Sequence, residues 1–139
     1  MTDELRSRAQ DLAMLCLRIG LAVFFFRPGW AKIASLRGII GLWQRLHLPL
    51  SSVFGPIHAI VEFGGSILML VGLFTRLVGS LLAMDMFGAL VIVKIHTRTF
   101  ISQEWLAFWM SVALLVVGAG AYSLDAMFGR RRAARATSQ

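Results

Sequence analysis

Residues 77–95 read LVGSLLAMDMFGALVIVKI, the third of four long apolar stretches in the chain. At about 1.5 Å per residue it forms roughly 28 Å of helix, which is enough to cross the hydrocarbon core of a bilayer. Asp85 lies in the middle of this stretch, where inserting a carboxylate costs about 2.5–3.5 kcal/mol. Asp85 therefore needs either a partner inside the protein or a function that explains its presence.

The composition of the whole chain agrees with a membrane protein. Apolar residues make up 58% of it and charged residues 15%, against about 25% charged residues in soluble proteins. Long apolar stretches predict four membrane spans, at residues 11–34, 56–74, 76–95 and 104–122. Together they predict a single all-α membrane domain over residues 1–139, an antiparallel bundle of four transmembrane helices with left-handed packing.

A different pattern separates the first two predicted spans, at residues 35–47. Apolar residues recur there at helical spacing, while Arg37, Gln44 and Arg45 take the other side. The segment is too short and too charged to cross a bilayer. It predicts a short amphipathic helix that lies at the membrane interface.

The basic residues near the end of the sequence indicate an orientation. The basic tail, residues 129–139, contains the arginines Arg130, Arg131, Arg132 and Arg135. Because Lys and Arg concentrate on the cytoplasmic side of membrane proteins, the tail predicts that both termini are cytoplasmic. We expect it to contact anionic lipid headgroups. Nucleic-acid binding is not expected, because the basic residues form no patch interleaved with aromatic residues.

Several ionisable residues lie inside the predicted spans. We expect an intramembrane polar network of Arg18, His58, Glu62, Asp85 and Lys94. Counted from the cytoplasmic ends, Arg18 lies about 10 Å deep and Asp85 about 13 Å deep. Opposite charges at similar depth predict an Arg18–Asp85 ion pair, with Glu62 also within reach. Two interpretations stay open: the network fixes the helix register, or Glu62 and Asp85 are catalytic residues.

Neither a metal-binding spacing nor a redox motif accompanies these charges. A metal site is not expected, because His58 and Glu62 have no third and fourth ligand at a recognisable spacing. The single cysteine, Cys16, excludes dithiol chemistry confined to one chain. A quinone stays open as a cofactor, because it needs only an apolar crevice with a few polar anchors.

From about residue 15 to residue 127, the chain resembles the DoxX family. The resemblance rests on short motifs in a fixed order, which include Arg18, Gly29, Trp30, Lys32, Glu62, Gly64, Gly65, Thr75, Arg76, Ser123 and Asp125. It implies a four-helix, multi-pass protein of the bacterial inner membrane. Some members resemble the small subunit of a thiosulfate:quinone oxidoreductase, and others associate with thiol- and superoxide-handling proteins.

Three functions follow from the resemblance and from the residues. The first is an accessory or anchoring subunit of a membrane redox or respiratory-type complex, not catalytic by itself, with other membrane or peripheral subunits as partners. The second is a quinone-linked oxidoreductase in which Glu62 or Asp85 accepts a proton. The third is a binder or carrier of a small solute or lipid.

Overall fold

The computed structural model describes residues 3–47, 49–97 and 103–136, without the side chains of residues 92–97 and 136. The described residues form six helices: α1 (Asp3–Ala34), α2 (Leu36–Arg45), α3 (Ser51–Val71), α4 (Thr75–Thr97), α5 (Gln103–Val117) and α6 (Leu124–Ala136). They contain no strand. The predicted all-α class is therefore confirmed for this part of the chain.

Two of these helices, α1 and α3, are long and apolar enough to cross a membrane by length and composition. Helix α1 continues through Pro28 without a break, as expected for a membrane helix, and begins at Asp3, before the predicted span. Its early start fits the acidic residues Asp3 and Glu4, which stabilise the positive end of the helix dipole. A third helix, α5, is apolar but shorter.

Helix α2 falls within the segment predicted to be a short amphipathic helix. It packs mainly on α3, and its residue Ile39 is buried. The side chain of Ile40 lies against Gly55 of α3, where a Cβ would be 3.5 Å from Ile40 Cγ1. The predicted helix is confirmed, while its position at a membrane interface stays a prediction.

The contacts between α1 and α3 show that these two helices run antiparallel. Arg18, in the first half of α1, reaches Met69 near the end of α3. Gly29, near the end of α1, lies against Phe63, further back along α3. This pair has the most extensive interface in the described structure.

Helices α3, α4 and α5 continue the same alternation. Gly65 of α3 packs on Leu82 of α4, and His58, earlier on α3, reaches Asp85, later on α4. Gly79, early on α4, approaches the α5 backbone at Ser111 and Leu115, in the second half of α5; Phe87, later on α4, contacts the ring of Phe108, earlier on α5. Neighbouring helices in both pairs therefore run antiparallel.

A compact group of side chains from these four helices forms the core, which includes Leu21, Phe25, Met69, Leu82 and Leu114. Many other large apolar side chains point outward, among them Val23, Ile60, Met84, Leu106 and Val116. Contiguous apolar surface of this kind is unfavourable in water. It is the surface expected of helices that contact lipid.

Helix α5 ends at Val117, short of the predicted boundary at residue 122. The reason is local: Gly118 and Gly120 have φ angles of +93° and +73°, which a right-handed helix does not accept. The chain then enters α6, whose second half carries the arginines of the basic tail. Residues 137–139 of the tail lie outside the described residues.

Candidate functional site: a buried cluster of charged groups

Four ionisable side chains from three helices meet inside the protein. Helix α1 supplies Lys32, α3 supplies His58 and Glu62, and α4 supplies Asp85. Lys32 Nζ lies 2.6 Å from Glu62 Oε2 and 2.7 Å from His58 Nε2. His58 Nδ1 hydrogen-bonds Asp85 Oδ1. We call these four residues the interhelical cluster.

The local structure explains why these residues meet. His58 and Glu62 are four residues apart on α3, so their side chains lie on one face of the helix, with Nε2 and Oε1 3.6 Å apart. The antiparallel packing of α1 and α4 on α3 then brings the end of α1, with Lys32, and the middle of α4, with Asp85, to the same level. The cluster is therefore a product of tertiary packing.

The cluster is enclosed, and its most open member is the lysine. The side chain of Glu62 is 3% exposed and that of Lys32 is 24% exposed. His58 and Asp85 lie between these values, at 15% and 10%. On the α2 side, the ring of Trp43 lies 5.8 Å from the imidazole of His58.

The hydrogen bonds of the cluster define the role of each atom. Lys32 can only donate, so His58 Nε2 accepts from it and Nδ1–H donates to Asp85. The other oxygen of this carboxylate, Oδ2, is buried and has no hydrogen-bond partner in the described structure. Among the described side chains of the cluster, one ammonium thus faces two carboxyl groups, which leaves more hydrogen-bond acceptors than donors.

Three of these residues have the donor atoms that metal ions use. His58, Glu62 and Asp85 each offer one ligand atom, and these atoms all lie within 4.8 Å of one another. The spacing argument against a metal considered His58 and Glu62 on one helix. The third group comes from α4, so no spacing in the sequence could have indicated it.

Arg18 does not take part in this cluster. Its guanidinium is buried and donates to four backbone carbonyls. Nε donates to Met69 O at 3.1 Å and Nη2 to Leu70 O at 3.2 Å. Nη1 donates to Ala119 O and Tyr122 O, both at 2.8 Å. Arg18 therefore joins the end of α3 to the segment between α5 and α6.

The predicted ion pair between Arg18 and Asp85 is wrong, and so is its extension to Glu62. Helix counting gave Arg18 and Asp85 a similar depth, and the structure differs: Arg18 lies beside Met69 at the end of α3, whereas Asp85 lies beside His58, eleven residues or about 16 Å earlier on α3. Carbonyls at a helix C-terminus lack intrahelical donors and carry partial negative charge. They satisfy Arg18, while the two carboxylates take His58 and Lys32 as partners.

Lys32 is the member of the cluster that the predicted polar network omitted. It lies about four helical turns after Arg18, so both residues lie on nearly the same face of α1. That spacing was a usable signal. Lys94 belongs to the predicted network and lies in α4, but its side chain is outside the described residues.

Some of the residues that carried the family resemblance hold the helices together. Gly29 allows α1 to approach the α3 backbone, since a Cβ there would lie 2.6 Å from Phe63 N. Trp30 packs its ring 5.6 Å from the ring of Phe63. Gly65 packs on α4, whereas a Cβ on Gly64 would meet nothing within 4 Å.

The remaining motif residues organise the opposite end of the molecule. Asp125 caps α4, because its Oδ1 accepts from Phe74 N and its Oδ2 from Thr75 N, both at 2.8 Å. Ser123 Oγ accepts from Ala126 N at 3.1 Å at the start of α6. Together with Arg76 and Gly118, Thr75 and Asp125 line a cleft of about 530 Å³. These residues are structural, and they lie apart from the interhelical cluster.

Comparison with known proteins places the chain in a family. The sequence model of the DoxX family matches residues 13–95. The chain is 29% identical over 121 residues to "Putative oxidoreductase CatD" of Bacillus subtilis, which covers 86% of this chain and 89% of the relative. No solved structure matches the chain.

Two further relatives are named as membrane proteins. The inner membrane protein YqjF of Escherichia coli is 25% identical over 131 residues, which cover 89% of this chain and 98% of the relative. An uncharacterized membrane protein of Mycobacterium tuberculosis is 28% identical over 144 residues, with 91% of this chain and 85% of the relative covered. The similarity to these proteins thus extends over most of both chains.

Proposed function

Because this chain belongs to the DoxX family of membrane proteins, we propose that it is an accessory or anchoring subunit of a membrane redox complex. In this role it supplies a lipid-embedded scaffold with a charged interior, and other membrane or peripheral subunits supply the electron-transfer centres. We further propose that it is multi-pass in the bacterial inner membrane, with α1, α3, α4 and α5 as its spans and α2 at the interface.

Helix lengths and packing support four spans. Helices α1 and α3 meet the length and composition of a span. Helix α4 has 23 residues, or about 34 Å at 1.5 Å per residue. Helix α5 has 15 residues, or about 22 Å, which is shorter than a usual span; its support comes from its apolar composition and its antiparallel packing on α4.

The arginines of α6 support cytoplasmic termini. Arg130 and Arg135 are exposed and follow the last proposed span. In such a position they face anionic lipid headgroups, each worth about 1 kcal/mol near a membrane surface. The basic tail therefore also serves as an electrostatic anchor.

The subunit role is supported by the name of one relative together with the number of cysteines in this chain. A relative whose name contains the word oxidoreductase matches 86% of this chain. The chain itself has one cysteine, and Cys16 is exposed on the outer surface of α1. A single thiol cannot cycle between dithiol and disulfide within one chain. Electrons taken from a thiol donor must therefore be accepted by a second subunit or by a bound cofactor.

A reductase assay tests this proposal. Membranes from cells with and without the chain are given thiosulfate or a thiol as donor, and quinone reduction is followed. We expect the activity to fall in membranes that lack the chain and to return with the wild-type gene, while the purified chain is inactive. Unchanged activity in membranes without the chain would contradict the proposal.

The interhelical cluster favours a second candidate, a quinone-linked oxidoreductase. Lys32 is a hydrogen-bond donor at the more exposed side of the cluster, and a donor there is suited to a quinone carbonyl. Glu62 and Asp85 stay the predicted proton acceptors in this case. Quinol formation by the purified chain, at the rate found in membranes, would favour this candidate over the subunit role.

A further inference from the structure

We propose that His58, Glu62 and Asp85 form a binding site for a divalent transition-metal ion, and that the ammonium of Lys32 competes with the metal for it. One imidazole and two carboxylates are a donor set that suits Zn²⁺, Mn²⁺ or Fe²⁺. The proposal goes beyond the subunit role and does not depend on it, since metal binding is measured on the purified chain.

The geometry brings the three donors together before any metal arrives. Their ligand atoms lie within 4.8 Å of one another, and α3 and α4 hold them from two sides. A metal at about 2.0–2.2 Å from each donor needs these atoms to close in by roughly 1 Å. Side-chain rotation supplies a movement of this size without any change in helix packing.

The carboxylate of Asp85 is a second, independent indication of a cation-binding site. Its carboxylate is nine-tenths buried, and Oδ2 has no hydrogen-bond partner among the side chains and backbone that the structure describes. A buried carboxylate oxygen without a partner loses its hydration and gains no hydrogen bond in return, which is unfavourable. A cation bound between the carboxylates removes that penalty.

The position of Lys32 shows that the site attracts a cation. Its Nζ lies 2.7 Å from His58 Nε2 and 2.6 Å from Glu62 Oε2. The same nitrogen and the same carboxylate would bind the metal, so ammonium and metal exclude each other. Lys32 has the most exposed side chain of the four, and its flexible stem lets the ammonium withdraw toward the surface.

Before the metal binds, Asp85 keeps the imidazole in place. The Nδ1–H to Asp85 hydrogen bond fixes the tautomer in which Nε2 has a lone pair for a metal. When the metal replaces Lys32 at Nε2, Glu62 supplies the second donor, and the Asp85 carboxylate turns from Nδ1–H to the metal as the third. Three protein ligands leave a coordination position for water or another ligand.

A titration of the full chain in detergent tests the site. The chain is purified with an affinity tag that contains no histidine, treated with a chelator, and titrated with Zn²⁺ by calorimetry. We expect one saturable Zn²⁺ per chain. His58→Asn, Glu62→Gln and Asp85→Asn should each weaken binding by on the order of tenfold or more.

The chain offers matched controls. His47→Asn removes an exposed histidine outside the cluster, and Glu104→Gln removes a carboxylate at the start of α5. Both variants should bind Zn²⁺ like the wild type. Circular dichroism and size-exclusion chromatography establish that the cluster variants remain folded.

Lys32→Met gives a result that loss of folding cannot imitate. Removing the competing ammonium should tighten Zn²⁺ binding by about tenfold, which corresponds to about 1.4 kcal/mol of binding free energy. Binding that does not saturate near one equivalent, or equal binding by wild type and His58→Asn, would overturn the site. Unchanged or weaker binding by Lys32→Met would overturn the competition.

Discussion

At the scale of single residues, Arg18 shows how a charge can be buried in an apolar chain through hydrogen bonds to backbone carbonyls. Its side chain is 1% exposed and donates four hydrogen bonds, one to each of four carbonyl oxygens. Those carbonyls belong to the end of α3 and to the segment that follows α5. The residue therefore acts as a tie between two parts of the chain that are far apart in sequence.

Replacing Arg18 should destabilise the protein strongly. Arg18→Met leaves buried carbonyls without donors, and we expect a loss of about 2–4 kcal/mol in the free energy of unfolding. Arg27→Met is the matched control, because Arg27 is exposed on the same helix and should change stability by less than about 0.5 kcal/mol. Unfolding of the detergent-solubilised variants by SDS measures both. Equal effects would contradict the role of Arg18.

Asp85 should couple energetically with His58 and not with Arg18. A double-mutant cycle with Asp85→Asn and His58→Asn should give a coupling energy of about 0.5–3 kcal/mol, because the two side chains share a buried hydrogen bond. The cycle of Asp85→Asn with Arg18→Met should be additive within about 0.5 kcal/mol. The reverse order of coupling energies would restore the ion pair predicted from helix depth.

The contrast between the two cycles also explains what sequence can and cannot predict about a site. The i,i+4 spacing correctly placed His58 and Glu62 on one face. Helical rise gave Arg18 and Asp85 a similar depth, whereas the structure places Arg18 beside Met69 and Asp85 beside His58. Neither quantity contains the position or the rotation of one helix relative to another. The partners of each charge therefore became visible only when α1, α3 and α4 were packed together.

At the scale of elements, Gly29 sets the distance between α1 and α3. A Cβ on Gly29 would lie 2.6 Å from Phe63 N and 2.8 Å from Phe63 Cα, both backbone atoms that cannot rotate away. Small residues at such crossings let membrane helices pack closely. Because the same interface holds Lys32 against Glu62, the close approach also positions the interhelical cluster.

Gly29→Ala should therefore separate α1 from α3. We expect a destabilisation of about 1–3 kcal/mol or more from overpacking, together with weaker Zn²⁺ binding if the cluster opens. Gly64→Ala is the control, because a Cβ there meets nothing within 4 Å and alanine favours a helix. SDS unfolding curves of the two variants should differ by at least 1 kcal/mol; coincident curves would contradict the packing argument.

Element boundaries were harder to predict than the elements themselves. Apolar length and amphipathic spacing indicated the helices, including the short α2. The end of α5 depended on left-handed backbone at Gly118 and Gly120, and hydropathy does not report a backbone angle. The capping of α4 by Asp125, from the other end of the chain, likewise needed the tertiary structure.

At the scale of the whole molecule, the arginines of α6 should set the orientation in the membrane. Fusions of a cytoplasm-active and a periplasm-active reporter to the end of the chain measure this directly. We expect only the cytoplasmic reporter to be active, because basic residues next to a span are retained inside. Replacing Arg130, Arg131, Arg132 and Arg135 with glutamine is the control and should weaken the bias. Activity of the periplasmic reporter on the wild-type chain would contradict the proposed topology.

Membership of the DoxX family could be anticipated from the order of short motifs, since these motifs are local in sequence. The function could not be predicted from such local motifs. The interhelical cluster combines residues from three helices, and molecules that bind the chain leave no local pattern in its sequence. The all-α class and the family were therefore predictable from the sequence, and the arrangement of the cluster was not.

Purification from native membranes tests the proposed function most directly. The chain is extracted in mild detergent through a tag, and the proteins that accompany it are identified and quantified by mass spectrometry, with an unrelated tagged membrane protein as control. We expect a redox protein in fixed ratio to the chain, and quinone reduction that depends on the electron donor and co-purifies with the complex. A homo-oligomer that carries no redox protein and no such activity would contradict it.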